Sequence, residues 1–548
     1  MKKRTSLLLL TLLLARISNA QSFTNPILAG FYPDPSICRA GDDYYIVNSS
    51  FAYFPGLPLF HSKDLLNWKQ IGYAMDRPGQ LNLDSAGVSR GLFAPAISYH
   101  NGTFYIVCTE VSKLGNFVIT AKDPRGPWSD PVKLPQVNGI DPSLFFDNNG
   151  KAYIVFNSIP PNNISLHEGH RTIRMFEFDV QNLKVVGEEK LLVNGGTDMS
   201  KKPVWIEGPH LIKKDGWYYL ICAEGGTGYD HSEVVFRSKS PEGPFVSYDK
   251  NPILTQRQLD PNRKDPITTA GHADFVEDKN GNWWGVFLAC RPYEGDFYNT
   301  GRETFMAPVV WKEGWPEFNL GGDEIKYSYP IDAKQNNKTP RFNGNYTFYD
   351  NFPQDTLNKR YRFLRTVHES WYRITDHKML QLKLRPETMS GNGNPSFIGF
   401  HQPHLTGHAS TGVEFHGADS NQRAGLVVFQ NEKAYYFLCR TTINGQQVVA
   451  LYKENELLAS IPATPPHHFI YLKIQADKDK YSFFYATRKN KWQLLKGDVD
   501  AKHLSTKTAG GFVGSVYGMY ATSNGQPSSN AALFEFFEVK NNDAVYKK

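Results

Sequence analysis
Five times in its first three hundred residues the chain repeats one short pattern, a turn glycine followed by a strand of aromatic and β-branched residues. The copies read GDDYYIV from Gly41, NGTFYIV from Asn101, NGKAYIV from Asn149, DGWYYLI from Asp215 and NGNWWGV from Asn280. Each has the chemistry of a hairpin turn feeding a half-buried strand. The glycines Gly41, Gly102, Gly150, Gly216 and Gly281 lie 61, 48, 66 and 65 residues apart, which suits one four-stranded blade with its loops. A second echo follows: HSKDLLNW from His61, TAKDPRGPW from Thr120 and RSKSPEGPF from Arg237 have the polar hairpin character of an outer strand. A long β-sandwich would show no such two-part recurrence, so the pattern predicts an all-β five-bladed β-propeller over residues 21–330.

Composition agrees. With 29 Tyr, 36 Phe, 10 Trp, 45 Gly and 34 Pro, the chain favours short strands and tight turns over helices. At 548 residues it is too long for one ordinary core, so a second domain is expected. Residues 1–20, MKKRTSLLLLTLLLARISNA, have the basic start, short apolar run and small residues of an export signal peptide, so the mature protein is expected to be periplasmic or secreted. No later segment approaches the ~20 apolar residues of a membrane span, and membrane insertion is not expected. The five cysteines are too few and too strand-like in context for a disulfide framework. The net charge of +6 comes from dispersed lysines and arginines, which argues against nucleic acid as a partner.

The residues just upstream of each repeat glycine belong to the preceding strand. Asp34 and Pro95 stand seven positions before theirs; Asp141, Glu207 and His272 stand nine before theirs. The innermost strands of a propeller line its axis, so these positions converge, and three acids and a histidine share one small space. Prolines flank Asp34, and Asp141 precedes Pro142, which restricts the backbone that carries each carboxyl. Clustered carboxyls fit glycoside hydrolysis: a protonated acid donates to the leaving oxygen while an ionised one activates water, and a third raises the pKa of the first.

Five segments, NPILAGFYPDPSI, GIDPSLFFDNNGKAYIV, EGPHLIKKDGWYYLICAEGGT, GHADFVEDKNGNWW and GRETFMAPVVWKEGWP, resemble the signature stretches of glycoside hydrolase family 43 through nearly all of residues 24–325. The resemblance implies a five-bladed catalytic propeller and an inverting exo-glycosidase for arabinose- or xylose-containing plant polysaccharides. It implies Asp34 as general base, Glu207 as general acid and Asp141 as the residue that raises and orients that acid. It also implies Phe54 and Phe93 as apolar walls, Phe93 standing where many relatives carry Trp, with His272 and Arg302 as substrate contacts. Hydrolysis would need no cofactor, although His272 could take part in holding a structural calcium ion at the axis.

A polar stretch, residues 331–345, reads as a linker, and residues 346–548 carry moderate-length strand patterns that predict a β-sandwich. It resembles the concanavalin-like domain of the family's xylosidase branch. There, a loop of the sandwich narrows the pocket; GGFVGSVYGMY from Gly510 is the candidate here. Tyr435, Tyr436 and Phe437 are expected in its core rather than on a sugar platform. The leading expectation is release of terminal α-L-arabinofuranosyl residues, with β-D-xylosidase or combined activity as the alternative. A non-catalytic carbohydrate-binding propeller would not need three channel acids, and a fructan- or sucrose-acting propeller would use a retaining nucleophile.

Overall fold
The computed structural model describes residues 21–333, 336, 341–463 and 468–547. The expected signal peptide and residues 334–335 and 337–340 of the expected linker lie outside them. Described residues of the first half form five antiparallel sheets in strict chain order. The innermost strands are Ser36–Ala40, Leu92–His100, Gly139–Phe146, Glu207–Lys214 and Thr268–Glu277. Each turns at its repeat glycine into the aromatic strand that the repeat contains. The three echo segments carry the turns between third and fourth strands of their sheets, as in Gly56–Ser62 and Lys69–Met75.

The innermost strands neighbour one another around a closed ring: first to second, second to third, third to fourth, fourth to fifth, and fifth back to first. Side chains tie the ring together near its axis. Ser36 Oγ donates to Asp274 and accepts from the Ile97 N–H, joining the fifth, first and second sheets. Ser143 donates to the Pro209 carbonyl, and Glu233 accepts from the Ala273 N–H. Strand Gln21–Thr24 pairs with Ser328–Ile331, so both ends of the domain leave together.

The second half folds as two sheets. One runs through Thr406–Glu414, Ile470–Asp477 and Ala531–Asn541; the other through Ser396–His401, Val516–Thr522, Arg423–Asn431 and Ala434–Ile443. Tyr435, Tyr436 and Phe437 are buried in this core. The sandwich is not a pendant module: Tyr53–Phe54 of the first half pairs with Phe363–Leu364, and one apolar cluster runs from Phe31, Phe51 and Leu92 into Phe397, Leu426 and Phe437. All five cysteines are buried and free. Among the described residues no helix is long and apolar enough to cross a membrane.

Candidate active site
Four of the five innermost strands are interrupted where they reach the pocket, the second between Phe93 and Ala96. The third loses register between Ile140 and Ser143, the fourth between Glu207 and His210, and the fifth on both sides of Gly271. Such bulges re-aim a side chain that regular pleating would send elsewhere. Asp34, Asp141 and His272 hold φ of 50°, 55° and 55°, a left-handed conformation that side chains other than glycine adopt at a cost. The strain is local to the residues that face the channel, and the surrounding sheets hold it in place.

The result is a cavity of about 360 Å³ lined by Asp34, Asp141, Glu207, His272 and Arg302, walled by Phe51, Phe93, Trp205 and Phe512. Asp34 accepts from Arg302 Nη1 at 2.8 Å and from Ser49 Oγ at 2.5 Å, so both of its oxygens act as acceptors. Arg302 Nη1 also reaches Thr227 Oγ1 at 3.2 Å, while its buried Nε has no partner among the described residues. Asp141 Oδ2 accepts from the Gly208 N–H at 3.2 Å, which places it beside Glu207 on the adjoining strand. Gly208 must be glycine: a Cβ there would lie 2.9 Å from the His272 ring.

Electrostatics separates the three acids. Burial pushes Glu207 well above the usual carboxylate range, with the charges of Asp141 and Asp34 adding to it and Arg302 opposing. Asp141 is pushed up to about 7, by burial first and Asp34 second. A buried carboxyl in this state retains a proton to donate near neutrality. Burial lowers His272 to about 4 and the neighbouring His231 to about 3, so both rings are neutral near pH 7. Among the described residues no three His, Cys, Asp or Glu side chains are arranged together to hold a metal ion.

Chain order around the ring matters. Asp141 and Glu207 sit on adjacent strands, while Asp34 lies just before the first and Glu207 on the fourth, which are not neighbours. A family model described as Glycosyl hydrolases family 43 matches residues 23–316. The chain belongs to this family. It is a glycoside hydrolase of the arabinofuranosidase/xylosidase type, and residues 349–540 match the Beta xylosidase C-terminal Concanavalin A-like domain. It is 41% identical over 525 residues to a xylosidase/arabinosidase of Butyrivibrio fibrisolvens, covering 94% of this chain and 99% of that one. It is 38% identical over 551 residues to a non-reducing end alpha-L-arabinofuranosidase of Bacteroides ovatus, covering 98% of each. The structure of Bacteroides ovatus Xyloglucan PUL GH43B superposes with a TM-score of 0.84 at 37% identity, covering 95% of this chain and 99% of that one.

One expected wall is elsewhere. Phe54 does not line the pocket; it pairs with Phe363 in the seam between domains and is buried there. Phe51, three residues earlier, takes the place. Its φ of 49° and its backbone bonds to Leu92 swing its ring to 5.0 Å from Phe93. Phe512, in the sandwich loop anticipated from Gly510, stacks on Phe51 at 6.1 Å. Its N–H donates to Ser89 Oγ at 2.9 Å, and a Cβ on the preceding Gly511 would strike that oxygen at 2.2 Å. Three further features escaped the sequence. Thr227, in the glycine-rich EGGTG, positions Arg302. Trp205 lines the cavity and its side chain hydrogen-bonds Glu207. Arg171 stacks on Trp205 with its guanidinium carbon 3.9 Å from the ring centre.

Proposed function
We propose that this enzyme is an inverting exo-glycosidase that removes terminal α-L-arabinofuranosyl residues from plant hemicellulose or its oligosaccharides. The observation that carries the reading is the set of three carboxyls in one aromatic-walled cavity, with Asp34 across the ring from Glu207. In this reading the five sheets are the five blades of a propeller, and water lies between Asp34 and the anomeric carbon. Asp34 takes the water proton as the oxygen attacks, Glu207 gives its proton to the leaving glycosidic oxygen, and the carbon–oxygen bond breaks with inversion. Asp141 keeps Glu207 protonated and fixed. Arg302 orients Asp34. Phe512 closes one side, so the cavity takes a chain end.

The alternative substrate is a terminal β-D-xylosyl group, favoured by the xylosidase type of the C-terminal domain and by the 32% identical beta-xylosidase of Bacillus subtilis. Comparing kcat/KM on nitrophenyl α-L-arabinofuranoside and β-D-xylopyranoside ranks the two, with the first expected higher. Proton NMR during hydrolysis is expected to show the β-anomer of arabinofuranose first; first appearance of the α-anomer would overturn inversion. Sugar release from arabinoxylan, arabinan and arabinosylated xyloglucan identifies the polymer. We also place the enzyme outside the cytoplasm, with Gln21 as the mature N-terminus, which N-terminal sequencing of the exported protein checks. Turnover is read as metal-independent, so chelator treatment is expected to leave kcat unchanged.

A further inference from the structure
Where the propeller meets the sandwich, a second set of buried polar groups takes no part in this chemistry. Arg362 directly precedes the seam strand Phe363–Leu364, and its backbone bonds to Gly399 in both directions. Its side chain is 1% exposed, yet Nε, Nη1 and Nη2 have no hydrogen-bond partner among the described residues. Both ring nitrogens of His401 and the hydroxyl of Tyr53 are likewise buried and unpartnered. These groups share one neighbourhood around Tyr32. The guanidinium carbon lies 5.3 Å from the Tyr32 ring centre and 5.7 Å from that of Tyr73. The His401 ring lies 4.7 Å from Tyr32 and 6.4 Å from Tyr53.

Tyrosine rings can cover the faces of a guanidinium, but its N–H bonds lie in the plane and stay unsatisfied by such contacts. A buried cation without a counter-charge is among the costliest arrangements in a protein interior. Three other arginines of similar burial are compensated: Arg291 by Glu303 and Asp543, Arg302 by Asp34, Arg365 by Glu432. Arg362 has no such carboxylate among the described residues, and neither has the neighbouring Arg360, whose charge also acts on His401. Water would satisfy hydrogen bonds here but leave the charge standing. The unpartnered groups are rich in donors and hold no acid.

We propose that this seam is a binding site for a small inorganic anion, chloride, held by Arg362 with Tyr53 and His401 as further donors, and that the anion locks the sandwich onto the propeller. It neutralises the charge that the seam buries, and so stabilises the docking that also brings Phe512 to the pocket. The test uses the full-length mature enzyme. Thermal unfolding in sodium chloride is compared with sodium gluconate at matched ionic strength, and crystals grown in bromide are examined for anomalous scattering.

Bromide is expected in contact with the Arg362 guanidinium. The midpoint is expected to rise saturably with chloride, by roughly 2 °C at a hundredfold excess over Kd, and Arg362→Met is expected to abolish that dependence. A crystal without bromide at Arg362 overturns the site, whatever the salt does to the midpoint, and this holds even if the variant fails to fold. Bromide bound with a chloride-indifferent midpoint overturns the locking role, as does an unchanged chloride dependence in a folded Arg362→Met protein.

Discussion
The pocket ends of the propeller's inner strands and the six-stranded sheet of the sandwich are both deeply buried β structure, yet they use the backbone in opposite ways. In the sandwich, Val516–Thr522 pairs with Ser396–His401 and with Arg423–Asn431 without a register break, and the side chains it buries are largely apolar. At the pocket, bulges and left-handed residues interrupt the strands and present carboxyls to one another. Regular pairing maximises burial and stability, whereas interrupted pairing spends some of that stability on geometry. Mutations should therefore divide sharply between the two regions.

The largest effect is expected from Asp34→Asn and Glu207→Gln, each lowering kcat by roughly 10³-fold while circular dichroism and the unfolding midpoint show an intact fold. Loss of fold in both would place these acids with the sandwich core rather than with the chemistry. Leu438→Ala, in the fully buried centre of the six-stranded sheet, should do the reverse: a loss of about 2–5 kcal/mol of stability in denaturant titration, with near-normal kcat for the protein that remains folded.

Asp141→Asn sharpens the comparison because both quantities should move. Without the Asp141 charge, Glu207 loses its proton more easily, so the alkaline limb of kcat/KM should shift to lower pH. Asp141 itself rises from the ordinary 3.8 to about 7 in the folded protein. Its protonated form therefore contributes stability that is complete below about pH 4 and lost as pH rises through 7. The variant should gain about 2–4 °C in midpoint at pH 8 relative to wild type, and less at pH 4; equal differences at both would show that Asp141 carries no buried charge. The smallest effect belongs to Phe512→Ala, which removes the wall supplied by the sandwich: KM should rise about tenfold with little change in kcat.

How far the chain could be read beforehand follows from the range of the interactions involved. The hairpin glycines, the aromatic strands after them and the echo segments are local signals, because turn chemistry and two-residue alternation are written within a few positions. Asp141, Glu207 and His272 were legible as a group because repetition turns equal offsets from a glycine into equal places around an axis; Asp34, two positions nearer its glycine, joined them through its place just upstream of the first repeat. The choice of Phe51 over Phe54 was not: a single left-handed residue decides which ring faces the cavity, and the run FAYFPG contains both.

Sequence by itself thus determined the class of fold, the second β domain and the acids that meet. Only tertiary structure decided that Phe512 is the ring of the Gly510 loop that closes the cavity, that Arg171 stacks on Trp205 and that Arg362 is isolated in the seam. Those depend on contacts between residues as much as several hundred positions apart. Burial and electric fields are sums over neighbours that no stretch of chain contains.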